Sequence, residues 1–95
     1  VKSYELIIVV HPDKVEEDAA SLVESIGNWV KGLDGEVSQV DNWGRRRLAY
    51  PIQHQREGLY FLFHLVLNPD TIAELERNLR LSEPVIRHLI VRTDE

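Results

Sequence analysis

Ninety-five residues, 43% of them hydrophobic and 28% charged, read as a single soluble domain over residues 1–95 with one modest core. The lack of cysteine excludes a disulfide scaffold, a thiolate zinc site, an iron–sulfur cluster and a cysteine nucleophile, and no apolar run nears the ~18–20 residues that cross a bilayer. A formal net charge of −5, from 11 basic and 16 acidic residues, taken alone argues against nucleic-acid binding.

The distribution of charge matters more than its sum. Positions 1–35 hold three lysines against seven acids, whereas all eight arginines follow position 44, three of them in a row at Arg45, Arg46 and Arg47. An acidic total leaves room for a local basic patch. The chain starts at Val1 with neither methionine nor a charged-then-apolar leader, which points to a trimmed start and an intracellular location.

Lys2–Val10, rich in β-branched residues, predicts a strand with Tyr4, Leu6, Ile8 and Val10 on one face and Glu5, Ile7 and Val9 on the other. His11-Pro12-Asp13 ends it, and Asp13 with Glu16 forms a capping-box pattern. Val15, Ala19, Leu22, Ile26, Val30 and Leu33 then recur at helical spacing, and Asp34-Gly35 supplies the stop. A second strand is expected over residues 36–50, with a bulge between Val37 and Val40 and an irregularity at Gly44. Residues 51–57 read as a polar turn. Residues 58–68 are apolar on both faces, as in a central strand. Asn68-Pro69 opens a second helix with Ile72, Leu75 and Leu79 inward, and Pro84 precedes a last strand over residues 85–92.

This β-α-β-β-α-β order, with right-handed crossovers, predicts an α+β ferredoxin-like sandwich. Its antiparallel sheet has four strands, the first and third central, with both helices on one face.

Catalysis finds little footing. His11, His54, His64 and His88 lack metal-site spacing, no serine lies in a nucleophile motif, and the glycines are too scattered for a phosphate loop. No metal or cofactor is expected. Fold alone decides nothing among the functions this architecture hosts. A metallochaperone needs paired cysteines. An acyl-phosphate hydrolase needs a glycine-rich cradle where this chain has the acidic run HPDKVEED. An RNA-recognition motif is matched only loosely by residues 56–63, whose aromatics fit a core better. The strongest local feature is the run GRRRLAYPI at residues 44–52. Its arginines either discourage edge pairing with other chains or form a cluster for phosphate or carboxylate.

That run, lying between the second and third strands, resembles the signature of the bacterial-type small-subunit ribosomal protein six family (S-six). Tyr4-Glu5, Pro12, the segment from Glu76 to Leu81 and the closing strand from Val85 to Arg92 fit the same family in order. The resemblance spans essentially the whole chain. It departs at the start, where Val1-Lys2 replaces Met-Arg, and in a short C-terminal tail. It implies a structural, non-enzymatic component of the small ribosomal subunit. Such a protein binds the central domain of the small-subunit ribosomal RNA as a heterodimer with ribosomal protein S-eighteen. Family members are often acidic, which removes the charge objection. The alternative is a ferredoxin-like module for another RNA or a small ligand.

In the antiparallel arrangement the last strand ends beside the start of the first. Lys2, Arg92 and, further along the edge, Arg87 are therefore expected to contact RNA phosphates. Arg45, Arg46 and Arg47 are expected within the edge strand and among the RNA-binding residues, with Arg46 on the opposite side from its neighbours. At least one of the three is expected to bind across the sheet edge, towards the RNA or the partner, and another to pair with an acid such as Glu36 or Asp41. Ile7, Val9, Leu62 and Val66 are expected on the uncovered sheet face, as apolar side chains awaiting a partner protein.

Overall fold

In the computed structural model the backbone is described for residues 2–11, 16–52, 55–82 and 84–93, and the side chains of these except at 16–19, 49–52 and 55. The Asp13 cap, Pro12, Val15 and His54 lie outside the described residues. The elements are β1 (Lys2–Val10), α1 (Glu16–Gly32), β2 (Glu36–Ile52), β3 (Gln55–Leu67), a 3-10 turn (Pro69–Thr71), α2 (Ile72–Leu81) and β4 (Val85–Arg92). The strands form one antiparallel sheet in the order β2-β3-β1-β4. The architecture is the expected ferredoxin-like one.

Strand phase follows burial. Tyr4, Leu6, Ile8 and Val10 of β1 and Phe61, Phe63, Leu65 and Leu67 of β3 pack beneath Leu22, Ile26 and Val30 of α1 and Leu75 and Leu79 of α2. The aromatics at 61 and 63 therefore belong to the helix side. They are core residues, not an RNA-recognition platform.

Local chemistry sets the element ends. Asp34, at φ 61°, takes the left-handed conformation after α1. The N–H groups of Asp34 and Gly35 donate to the carbonyls of Lys31 and Val30 at 3.0 and 2.9 Å, which closes a Schellman motif. Gly35 is needed for a different reason. A Cβ there would overlap Leu67 Cδ2 and stand 2.9 Å from the Val66 carbonyl oxygen. The asparagine cap is as expected, but it opens the 3-10 turn and not α2. Asn68 Oδ1 accepts from the Asp70 N–H at 3.0 Å, and α2 follows from Ile72.

The β2–β3 hairpin is longer than the sequence suggests. Pro51 and Ile52 continue β2, and β3 begins at Gln55, so most of the expected polar turn is strand. Pro51 is tolerated because β2 is an edge strand, where a missing N–H breaks no required ladder. Register shifts occur at Val37/Gln39 and Asn42/Gly44, where irregularities were expected, and again between Arg47 and Ile52. Since β1 pairs only as far as Leu59, the end of the hairpin projects past β1 as an arm.

One close approach ties that arm to the sheet. A Cβ on Gly58 would overlap Val9 Cγ1 and lie 3.8 Å from Leu48 Cδ2. Valine has little χ1 freedom, so it cannot simply swing aside. Gly58→Ala is expected to destabilise the protein by about 1–3 kcal/mol. A lowered urea midpoint at unchanged m-value would show it.

Candidate nucleic-acid and partner interface

The register decides which cations meet. Tyr4 faces Arg92 across the β1–β4 pair, so Lys2 and Arg92 are diagonal neighbours on the helix side, about 7–8 Å apart between Cα atoms. The Thr93 N–H donates to the Ser3 carbonyl at 2.9 Å and extends this edge. Arg87 stands opposite Val9, five residues back, on the other face. Two of the three expected phosphate contacts are thus brought together, and Arg87 is not joined to them.

Arg45, Arg46 and Arg47 lie opposite Leu59, Gly58 and Glu57 in the β2–β3 pair, so Arg46 does take the opposite face. The expected ion pair is with a different acid. Arg45 Nη1 lies 3.5 Å from Glu57 Oε2, while Asp41 Oδ2 lies 3.6 Å from His64 Nε2 and Asp41 Oδ1 accepts from Gln39 Nε2 at 2.8 Å. The cross-strand diagonal puts Glu57 within reach of Arg45. Both partners are half exposed to solvent, so this pair adds little stability.

The sequence reading overlooks Trp43. The register shift leaves it as the extra residue of a bulge held by the Gly44 N–H, which donates to Asn42 Oδ1 at 2.8 Å, and by Gly44 at φ 73°. There the indole stacks on Tyr60, with ring centroids 6.5 Å apart, and the Arg46 guanidinium carbon lies 5.3 Å from the indole centroid. The available signal was Gly44 itself: an irregularity there frees a neighbour from strict alternation.

The face away from the helices is filled more tightly than expected. Val9 packs with Leu48 and Ile86, and Tyr60 packs against them. Val9 is 3% exposed and Leu62 7%, so neither offers much surface. Ile7 and Val66 are half-buried. More apolar surface comes from Leu89 at 48%, Val91 at 47% and Trp43 at 39% exposure. Leu89 lies opposite Ile7 and Val91 opposite Glu5, so both continue this face onto β4. Among the described residues no group of acids and histidines could hold a metal ion, and no helix is long and apolar enough to cross a membrane.

The family model for ribosomal protein S6 matches residues 3–92. The chain belongs to the ribosomal protein S6 family. It is 43% identical over 95 residues to the small ribosomal subunit protein bS6 of Caldanaerobacter subterraneus, covering all of both chains. The bS6 of Acidothermus cellulolyticus is 40% identical over 94 residues, covering 99% of this chain and 98% of that one. The crystal structure of the 30S ribosomal protein S6 of Thermotoga maritima superposes with a TM-score of 0.92 at 27% identity, covering 97% of this chain and 87% of that one. Membership of this S6 family makes the chain a structural component of the small ribosomal subunit and not an enzyme.

Proposed function

We propose that the chain binds the central domain of the small-subunit ribosomal RNA together with ribosomal protein S-eighteen, within the cytoplasmic ribosome, through two separate surfaces. The diagonal placement of Lys2 beside Arg92 at the β1–β4 edge is the observation that carries the RNA assignment. A lysine and an arginine on adjacent strands can grip neighbouring phosphates on a scaffold whose strands are already fixed. Arg87, on the other face of the same edge, stands with the partner surface and is not part of this phosphate grip. The partner surface is the sheet face bearing Ile7, Val9, Leu62 and Val66, bordered by Arg45, Arg46 and Arg47 of β2. Here Val9 and Leu62 act as buried support, and Ile7 and Val66 as contact.

Titration of a central-domain RNA fragment, with and without purified S-eighteen, tests the reading. Tight binding only when both proteins are present supports it. Equal binding by the chain alone would remove the heterodimer.

Arg46 and Arg47 are both exposed, and the cation–π contact of Arg46 is worth only about 0.5–1 kcal/mol. The double variant Arg46→Ala/Arg47→Ala should therefore melt close to the parent while entering ribonucleoprotein particles less well. Full incorporation would show that these arginines serve only to keep the β2 edge from pairing.

A further inference from the structure

Across the sheet, the face away from the helices reads in rows. Gln39, His64, Glu5 and Val91 form one row; Asp41, Leu62, Ile7 and Leu89 the next; Gly44, Tyr60, Val9 and Arg87 the third; Arg46 and Gly58 lie beyond it. Glu36, opposite Val66, lies on the far side of the first row.

The middle of this face is an apolar band from Trp43 and Tyr60 across Ile7 to Leu89. Its flanks carry opposite charge. Glu5 and Glu36 lie on one side, and Arg46 and Arg87 on the other. From the row of His64 to the row of Gly58 is six residues of β3, roughly 20 Å at the usual strand rise.

The acids on this face oppose a phosphate backbone, and its exposed leucine, valine and tryptophan offer nothing that phosphate needs. An RNA strand laid here would meet Glu5, Glu36 and Asp41. A protein segment with an apolar centre meets no such conflict, provided its own charges are ordered. Its acidic end would lie at Arg46 and Arg87, and its basic end at Glu5 and Glu36. The bulge at Trp43 fits this arrangement, since the indole keeps the Arg46 guanidinium on this face in place of letting it spread into solvent. Charge complementarity of this kind fixes orientation and register more than raw affinity.

We infer that this face takes a charge-polarised protein segment, docked in one orientation across the Trp43–Ile7–Leu89 band. The inference deepens, and rests on, the reading of this face as a protein-binding surface.

The sign of two charge reversals tests it. Small-subunit particles lacking this chain are reconstituted with the parent, with Arg46→Glu/Arg87→Glu, or with Glu5→Lys/Glu36→Lys, and incorporation is titrated at low and high salt. A polarised segment predicts that both reversals weaken incorporation, by about fivefold or more at low salt, with the difference shrinking as salt screens it. Weakening by the arginine reversals with tightening by the glutamate reversals would put RNA on this face and overturn the inference. The opposite pair of signs would mean a uniformly basic partner, and no effect from either would mean an unoccupied face; both overturn it as well. Melting curves check that each variant folds. Glutamine at the same four positions supplies the test for any that does not, with the same signs and smaller effects. A separate titration with S-eighteen alone keeps the partner's identity distinct. Failure there removes that partner, while the particle experiment still reads what lies on the face.

Discussion

Phe63→Ala is expected to cost about 3–5 kcal/mol, the usual range for emptying a phenylalanine site in a closed core. Phe63 is fully buried, sits at the centre of β3 and faces Leu6 of β1 and Val40 of β2 across its two ladders. Its ring packs in the cluster that joins both central strands to Leu22, Ile26 and Val30 of α1 and Leu75 and Leu79 of α2. The surrounding groups are strand-anchored on one side and helix-anchored on the other, so they cannot collapse into the vacated space without moving the sheet against its helices. A 95-residue protein has roughly 5–14 kcal/mol of stability in all. At about 4–8 °C per kcal/mol for a domain of this size, the melting temperature should fall by about 12 °C or more. A drop of only two or three degrees in thermal unfolding followed by circular dichroism would mean that the phenyl ring is not enclosed.

Loss of the Phe63 ring would also loosen both proposed surfaces from their scaffold. The β1–β4 edge and the β2 arginines face different directions, and what fixes their relation is the β3–β1 pairing that Phe63 underpins. A variant that still folds at low temperature should bind RNA and partner with nearly parental affinity there, then lose both together on warming. Separate loss would show that the surfaces do not depend on a common core.

The parts of the fold that were legible in the sequence are those where one physical signal dominates. Alternation in Tyr4–Val10 specifies the buried face of β1, because a one-residue slip would expose Leu6 and Ile8. The spacing of Leu22, Ile26 and Val30 specifies the buried stripe of α1 in the same way. The long hairpin was less legible. Pro51 and the polar residues after it carry a turn signal, but the edge position of β2 removes the penalty that would normally make proline end a strand. Edge position is a property of the whole sheet and cannot be read locally.

The candidate site shows the same division. Lys2 and Arg92 could be placed together because antiparallel topology alone brings the two strand ends side by side. The Trp43–Tyr60–Arg46 stack could not be, since it depends on which residue the bulge expels, and that is decided by the Asn42 side chain and the conformation of Gly44. Burial of Val9 also escaped the alternation argument. Alternation gives the face, while enclosure comes from Leu48 on the hairpin arm and Ile86 at the β4 register shift. An apolar residue on an uncovered face can still be covered by its own neighbours.

Lys2→Ala/Arg92→Ala should weaken RNA binding uniformly across sequences and flatten its salt dependence. Each phosphate neutralised releases counterions and contributes a slope of about 0.7–0.9 in log affinity against log salt. Removing both cations should therefore reduce the slope by about 1.4–1.8. Over a fourfold rise in salt, from about 50 to 200 mM, the parent should lose about tenfold more affinity than the double variant. The two side chains are diagonal neighbours at one strand end, so each single variant should account for about half of the change. Both lie at the margin of the sheet: Arg92 is exposed and Lys2 only half-buried. Folding should accordingly be little affected, and melting curves check this directly. Arg80, exposed in the last turn of α2, provides the control, since its replacement by alanine should leave the slope as it was. A double variant with the parental slope would show that the RNA does not run along the β1–β4 edge. The phosphate contacts would then have to be sought among the arginines of the β2–β3 arm.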